Sequence, residues 1–203
     1  MIKQVKQYEY VDLGLPSGLK WAKCNVGAEK ETDYGDYFMW GSITPNTADE
    51  CNWAKAPFNG GASDYDSDYF NSVKDTVCPN GVLAKEYDAA SQIMGGDWRM
   101  PTKDEFDELM DNTTTEWIED FNGSGVNCIK FTSNINGNSI FFPASGFRTN
   151  SSFGFQGYGG YVWSSSLGTS DPSVARSISF ESDDASYSAD LRRDGYVVRG
   201  VCE

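Results

Sequence analysis

The last quarter of the chain, residues 146–201, constrains the fold most. Its apolar anchors are Tyr161–Trp163, Ile178 with Phe180, and Tyr196–Val198, and they recur at intervals typical of β-strands. The residues between these anchors are mostly Ser, Asp, Arg, Tyr and Gly. Because successive side chains of a strand point to opposite faces, the pattern predicts a β scaffold with polar loops and outward strand faces.

These polar segments have the composition of a binding surface. Tyr supplies rigid amphipathic contact area, Ser and Gly supply adaptable hydrogen bonding, and Arg supplies a planar set of donors. The alternative interpretation is a solvated, loop-rich face that has no ligand. Composition alone leaves both interpretations open.

Charge and composition exclude several classes of function. The 203 residues carry a formal charge of −14, which argues against nucleic acid or an anionic membrane as partner. The chain has no His, so the usual general base and the commonest zinc ligand are missing. No segment approaches the roughly 18 apolar residues of a membrane span, which predicts no membrane insertion. The five Cys show no C-x-x-C spacing, and their pairing stays undetermined.

The remaining pattern predicts a single α+β domain over residues 1–203. One helix is predicted over Val82–Gly95, and a second begins at a capping box formed by Thr102 and Glu105. Strands are predicted over residues 116–121, 126–132 and 139–144, the last two joined around Asn136-Gly137. Two helices that precede a run of strands favour antiparallel sheets over a βαβ arrangement.

Residues 42–79 are polar and irregular, which predicts a long excursion from the domain. Within it Asp64, Asp66 and Asp68 alternate with a spacing typical of calcium loops, and Asp75 follows. Tyr69 stands where such a loop needs Gly, so the pattern favours a solvated acidic loop over a calcium site. No metal and no cofactor are predicted.

Specific segments carry a family resemblance. They are YVDLGLPSGLKWAKCNVGAEKETDYGDYFMWG, GGDWRMPTKDEFDELM, GNSIFFPASGFR, YVWSSS, ARSISF and DGYVVRGV, in that order. Together they resemble the Fibrobacter succinogenes major paralogous domain family of gut Bacteroidetes. That resemblance implies a C-type lectin fold in the version shared with formylglycine-generating enzyme.

The C-terminal pattern also resembles the variable region of target proteins of diversity-generating retroelements. Randomising the adenines of Asn codons never yields Lys, Met, Gln, Glu or Trp. All ten Lys lie at or before Lys130, and five of the six Arg lie at or after Arg148. Within the predicted variable region, residues 149–200, such unreachable residues are only Gln156, Trp163 and Glu181. This skew fits the mechanism, and a related protein without a retroelement remains the alternative.

The resemblance divides the C-terminal residues into a scaffold and a set of ligand-binding side chains, here called the displayed set. The implied scaffold comprises Gly146, Phe147, Arg148, Gly160, Trp163, Ser164, Ser165, Ala175, Ile178, Phe180, Gly195, Val198, Arg199 and Val201. The displayed set comprises Tyr158, Leu167, Thr169, Ser170, Asp171, Ser173, Arg176, Ser177, Ser179, Asp183, Asp184, Ser186, Tyr187, Arg192, Arg193 and Asp194.

Period-two alternation tests part of this division. It turns Ser177 and Ser179 away from Ile178, whereas Arg176 falls on the Ile178 side, so a bulge or a rim position is expected for Arg176. Arg148 is expected to bond carbonyls or acids inside the fold, as is Arg199. Trp163 is expected to be a core residue rather than a sugar platform.

The resemblance therefore implies a ligand-binding protein, not an enzyme, whose partner is a protein or glycan on a cell surface. A phage virion or a bacterial surface is the expected location. The late cysteine pair of formylglycine-generating enzymes is missing, and so are the Glu-Pro-Asn and Gln-Pro-Asp tripeptides of calcium-dependent lectins. The alternatives are an invariant glycan-binding module, in which Tyr158, Tyr187 or Trp163 stacks on sugars, and an oxidase or hydrolase.

Overall fold

Thirteen strands and three α-helices make up the regular structure of residues 7–182 and 184–203, the part of the chain that the computed structural model describes. The helices are α1 (Ser67–Val77), α2 (Ala89–Met94) and α3 (Lys103–Asp111). The strands are β1 (Tyr10–Asp12), β2 (Lys20–Asn25), β3 (Tyr37–Phe38), β4 (Thr113–Ile118), β5 (Cys128–Ser133), β6 (Ser139–Pro143), β7 (Phe147–Thr149), β8 (Ser152–Gly154), β9 (Gly159–Leu167), β10 (Val174–Glu181), β11 (Asp184–Leu191), β12 (Tyr196–Val197) and β13 (Arg199–Cys202).

The strands form four sheets, with the orders β1-β2-β13, β11-β10-β9-β12-β3, β4-β5-β6 and β7-β8. All neighbouring strands are antiparallel except β9 and β12, which are parallel. The predicted α+β class with antiparallel sheets is therefore confirmed. Because β13 pairs with β2, the last strand is hydrogen-bonded to the second strand of the chain.

The five-stranded sheet has apolar packing on both faces. Val162, Ile178 and Phe180 face one buried cluster, and Trp163 and Tyr196 face another. Each apolar segment singled out in the C-terminal quarter thus reaches the core, because side chains alternate between the two faces. No helix among the residues described here has the length and apolar character needed to span a bilayer.

Two scaffold expectations are confirmed by this packing. Trp163 is fully buried, and its indole N–H donates to the Phe38 carbonyl at 2.8 Å. A Cβ added at Gly160 would overlap the Phe180 ring, so only glycine fits beside that side chain. Both positions are therefore fixed by contacts inside the sheet.

Helix α3 begins where its sequence predicts. The Thr102 hydroxyl accepts the Glu105 N–H, and the Glu105 carboxylate accepts the Thr102 N–H at 2.8 Å. The helix predicted over Val82–Gly95 is shorter, because Asp88 caps α2 at the Ser91 N–H. The segment before this cap pairs with β9 through Val82.

The excursion over residues 42–79 is predicted to be irregular, but it contains helix α1. The structure therefore has three α-helices among its described residues, where two are predicted. Helix α1 starts after Asp66, whose carboxylate accepts the Tyr69 N–H at 2.9 Å. The side of this helix that packs against the core carries the buried residues Phe70 and Val77. Asp66 is thus a helix cap, and no metal-binding group of three or more His, Cys, Asp or Glu occurs in the described part of the chain.

We expect the charge of Glu105 to stabilise the start of α3. Arg99 donates twice to this carboxylate, at 2.7 and 2.6 Å. Burial raises the pKa of Glu105, but Arg99 and the Thr102 N–H outweigh it and hold that pKa below its ordinary value. Glu105→Gln, which keeps the capping geometry, should lower the free energy of unfolding by about 1 kcal/mol at neutral pH.

The pH dependence of this difference follows from the lowered pKa. The charged carboxylate contributes its stability above the unfolded-state pKa, about 4.3, and loses it as pH falls through the folded-state pKa. Urea unfolding at several pH values should show the two proteins converging in acid. The control is Asp104→Asn, which removes an exposed charge from the same turn. An equal loss in both variants would contradict the role of the Arg99 pair.

Candidate ligand-binding surface

One face of strands β10 and β11 carries a double row of hydroxyls, here called the serine face and defined as Ser177, Ser179, Ser186 and Ser188. Ser177 lies opposite Ser188 in the register of the two strands, and Ser179 lies opposite Ser186. Residues directly opposite in antiparallel strands project to the same side. The serine face therefore lies on the side of the sheet opposite to Ile178.

The serine face opens towards the connection between β10 and β11. Ser186 is exposed, Ser179 and Ser188 are half-buried, and Ser177 is only 3% exposed. The Ser177 hydroxyl donates to the Asp190 carboxylate at 2.5 Å. Substitution is therefore sterically tolerated at the exposed Ser186 end of the serine face and restricted at the buried Ser177 end.

Carboxylates and tyrosines meet at the restricted end. Burial raises the pKa of Tyr196, and the neighbouring carboxylates of Asp190 and Asp194 raise it further. Burial also raises the pKa of Tyr161, again with Asp190 nearby. The phenols therefore stay neutral at neutral pH.

Three exposed aromatic side chains, here called the aromatic rim, are Phe153, Phe155 and Tyr158, which are 63%, 50% and 77% exposed. The Phe147 ring is 6.1 Å from Phe155 and 5.2 Å from Tyr161, centroid to centroid, and Tyr161 lies opposite Ser179, so Phe155 is on the serine-bearing side. Phe153 is on the other side, next to Arg148, whose guanidinium also lies over the Tyr37 ring. Phe155 has a φ of 58°, a conformation that is unfavourable for an aromatic residue and is held by its surroundings.

Most of the displayed set is accessible, but part of it is not. The accessible or half-buried members are Tyr158, Thr169, Ser170, Asp171, Arg176, Ser179, Asp184, Ser186, Tyr187, Arg193 and Asp194. Four members are buried, so the prediction that they are displayed is wrong; these are Leu167, Ser173, Ser177 and Arg192. Asp183 lies outside the described residues.

Arg192 is the largest of these corrections. Its side chain is 0% exposed, and its guanidinium carbon lies 4.0 Å from the centre of the Phe70 ring. Its Nε donates to the Pro172 carbonyl at 2.8 Å and its Nη1 to the Pro57 carbonyl at 3.3 Å. Arg192 therefore binds two loops to the sheet and is not available to a ligand.

The other buried members are held by the strands themselves. Leu167 packs in the cluster around Trp163, and Ser177 is held by Asp190. Ser173 directly precedes β10 and is held next to the end of β11, because the Arg192 N–H donates to the Ser173 carbonyl at 3.0 Å. Leu167 and Ser173 are at strand ends, where period-two alternation gives no information, whereas Ser177 is in the middle of β10 and is buried on the outward face.

The accessible members do not form one surface. Ser179, Asp184 and Ser186 belong to the open end of the serine-bearing side, whereas residues 169–171 lie in the β9–β10 connection at the other end of β10. Tyr187 projects to the opposite side of the sheet. There the Lys103 ammonium lies 5.0 Å from the centre of its ring, and burial together with Asp107 raises the pKa of Tyr187.

A bulge explains the position of Arg176. The sequence leaves a bulge and a rim position as the two alternatives for this residue. The register between β9 and β10 shifts between Ala175 and Ser177, where Arg176 faces three residues of β9. Its Nη2 donates to the Thr169 hydroxyl at 3.1 Å. Arg176 thus lines a cleft of about 610 Å³ with Lys74 and Lys103, away from the serine face.

Both remaining arginine expectations are confirmed. The Arg148 guanidinium lies 4.0 Å from the centre of the Tyr37 ring and donates to the Asn46 carbonyl at 2.7 Å. Arg199 is fully buried and bonds only to groups within the fold. Both cations therefore stabilise the scaffold.

The sequence interpretation missed several residues of this surface, namely Phe153, Phe155, Tyr161, Glu181, Ser188 and Asp190. A usable signal existed for β11, because Ala185, Tyr187, Ala189 and Leu191 alternate with Asp and Ser. Comparison of the chain with protein-family models, with curated proteins and with solved structures gave no match.

Proposed function

We propose that this chain is a ligand-binding protein that displays exchangeable side chains on a C-type lectin scaffold of the formylglycine-generating-enzyme-like kind. We further propose that its C-terminal codons are the target of a diversity-generating retroelement. One observation carries this proposal: β10 buries Ile178 and Phe180 on one side and opens Ser179 on the other. Exchange at such open positions leaves the core contacts unchanged.

The accessible surface supports recognition of a large ligand on a cell or phage surface. Ser side chains give adaptable hydrogen bonds, and the exposed Phe155 ring gives rigid contact area on the same side. In protein interfaces a few aromatic or Arg anchors supply most of the binding energy. Tyr158 is exposed and Arg193 is half-buried, so the displayed set offers both as accessible anchors.

Resequencing the gene across a population tests the proposal. We expect substitutions at adenine-bearing codons of the accessible displayed residues, and a near-identical template beside a reverse-transcriptase gene. We expect no such variation at Trp163, Ile178 or Phe180. Uniform variation along the gene, or constant codons at Ser179 and Ser186, would refute diversification.

Two substitutions on the same face should separate exchangeable from fixed positions. Ser186→Tyr should change the free energy of unfolding by no more than about 0.5 kcal/mol, because Ser186 is exposed. Ser177→Tyr should lower it by about 2 kcal/mol or more, because a ring cannot enter the site at 3% exposure. Urea unfolding of both variants checks this pair. Equal effects would mean that the face is uniformly open or uniformly packed.

A second candidate function is an invariant glycan-binding module on the same scaffold. The exposed aromatic rim favours it, since aromatic rings stack on the apolar faces of sugars. Trp163 cannot serve as a platform because it is fully buried. A glycan array probed with the wild type and with Tyr158→Ala decides this candidate. It fails if no glycan binds or if binding is unchanged in the variant.

A further inference from the structure

Strand β11 forms an open edge of the five-stranded sheet. Among the strands of residues 7–182 and 184–203 the sheet has the order β11-β10-β9-β12-β3, so within this part of the chain β11 pairs on one side only. It is eight residues long, and Asp184, Ser186, Tyr187 and Ala189 are exposed. An edge strand of this length presents a row of backbone donors and acceptors to an incoming strand.

The direction of these backbone groups can be assigned. In an antiparallel pair, alternate residues bond to the partner strand and the others point away from it. The Arg192 N–H donates to the Ser173 carbonyl at 3.0 Å, so in this register the even-numbered residues of β11 bond to β10 and Ala185 belongs to the outward series, where its N–H donates to the Asp184 carboxylate at 2.8 Å. Tyr187 and Ala189 share that series because they lie two and four residues further on.

The edge lacks three common protections against strand addition, and its charges are both acidic. Natural edge strands are often guarded by Lys, by Pro or by a bulge. The sequence of β11, DASYSADL, contains neither Lys nor Pro. Its register with β10 runs without a shift from Val174 opposite Leu191 to Glu181 opposite Asp184.

Charge distinguishes the partners that could pair here. Glu181 and Asp184 lie opposite each other, and Asp190 lies on the same side of β11. In the described part of the chain none of these three carboxylates takes part in an ion pair. A second copy paired antiparallel about Tyr187 would place Asp184 against Asp190, and like charges directly opposite are destabilising. A basic segment would neutralise them instead.

We propose that the β11 edge binds an extended, basic segment of another polypeptide as an added strand. The outward N–H and C=O groups of Tyr187 and Ala189 supply the main-chain hydrogen bonds, together with the C=O of Ala185, whose N–H is held by Asp184. Lys or Arg side chains of the segment face Asp184 and Asp190 across the serine-bearing side. This inference rests on the proposed binding function and names a polypeptide as the class of ligand.

A synthetic peptide tests the inference directly. The probe alternates Val and Thr and carries two Lys spaced to face Asp184 and Asp190, with a fluorophore at one end. Fluorescence anisotropy should detect saturable binding to the intact protein. One peptide form has N-methyl groups on the edge that pairs with β11, and its matched control has them on the opposite edge. The first form should bind at least tenfold more weakly than the control.

Variants of the protein provide the second readout. Ala189→Pro removes one outward N–H, and proline is tolerated at sheet edges. It should weaken peptide binding at least tenfold without moving the urea midpoint appreciably. Asp184→Asn with Asp190→Asn should weaken binding and reduce its salt dependence. Because the N-methylated peptides use the unaltered protein, the test does not depend on any variant folding.

Three results would overturn the inference: no binding of the probe, equal binding of the two N-methylated forms, or sedimentation showing that the protein dimerises through β11. The third result would assign the edge to a second copy. None of these results bears on codon variation in the population, so the proposed diversification is tested separately.

Discussion

Arg199→Leu is expected to lower the free energy of unfolding by about 3 to 5 kcal/mol, the largest effect of any single substitution considered for this chain. Arg199 is 0% exposed, and its guanidinium carbon lies 4.2 Å from the centre of the Phe142 ring. Its Nε donates to the Asn25 side-chain oxygen at 2.9 Å, and its Nη2 donates to the Phe141 carbonyl at 2.8 Å. Leucine would leave these buried acceptors without donors.

The effect should spread across two sheets, because Arg199 joins them. Its Nη1 donates to the Ala22 carbonyl at 2.9 Å in β2, while its Nη2 reaches β6 through Phe141. Urea or thermal unfolding measures the loss, and Arg193→Leu is the control because Arg193 is only half-buried and near the surface. A loss below about 1 kcal/mol in Arg199→Leu would contradict its structural role.

Arg192→Ser is expected to lower the free energy of unfolding by about 3 kcal/mol. Serine is among the residues that adenine randomisation can produce, so the substitution also separates the displayed set from the scaffold. The arginine bonds to carbonyls of Pro57 and Pro172, and it lies over the Phe70 ring of α1. Its removal should loosen the excursion over residues 42–79 from the central sheet.

Limited proteolysis together with urea unfolding measures this loosening, and Arg193→Ser is the matched control at the next position. In a diversified population we expect codon 192 to stay constant while codons 179 and 186 change. Free variation at codon 192 in folded, functional proteins would show that the Arg192 contacts are dispensable.

Strong local patterns in the sequence predicted their elements well. The apolar segments around Trp163, Ile178 and Val197 became strands β9, β10 and β12. The capping box at Thr102 fixed the start of α3, because its hydrogen bonds depend only on residues three positions apart. Such elements are specified by contacts between near neighbours in the chain.

Elements that depend on distant partners were not predictable. Helix α1 starts in a run of aspartates whose pattern favours a solvated acidic loop, and its Phe70 packs against Arg192, far along the chain. Strand β11 is a different case: its period-two alternation is a usable signal, but a weak one, because its apolar side chains are only small or half-exposed. Arg192 is predicted to be at the surface because its neighbours in the sequence are polar and do not reveal the aromatic rings that enclose it.

The hydroxyl rows of β10 and β11 also limit the size of any repertoire that the chain could encode. Since successive side chains of a strand point to opposite faces, lengthening a variable run by two codons adds only one position to a given face. The number of different surfaces then grows faster when codons of a neighbouring strand or connection are also varied than when either strand is lengthened. A selection scheme for new specificities should therefore randomise alternate codons on both strands together.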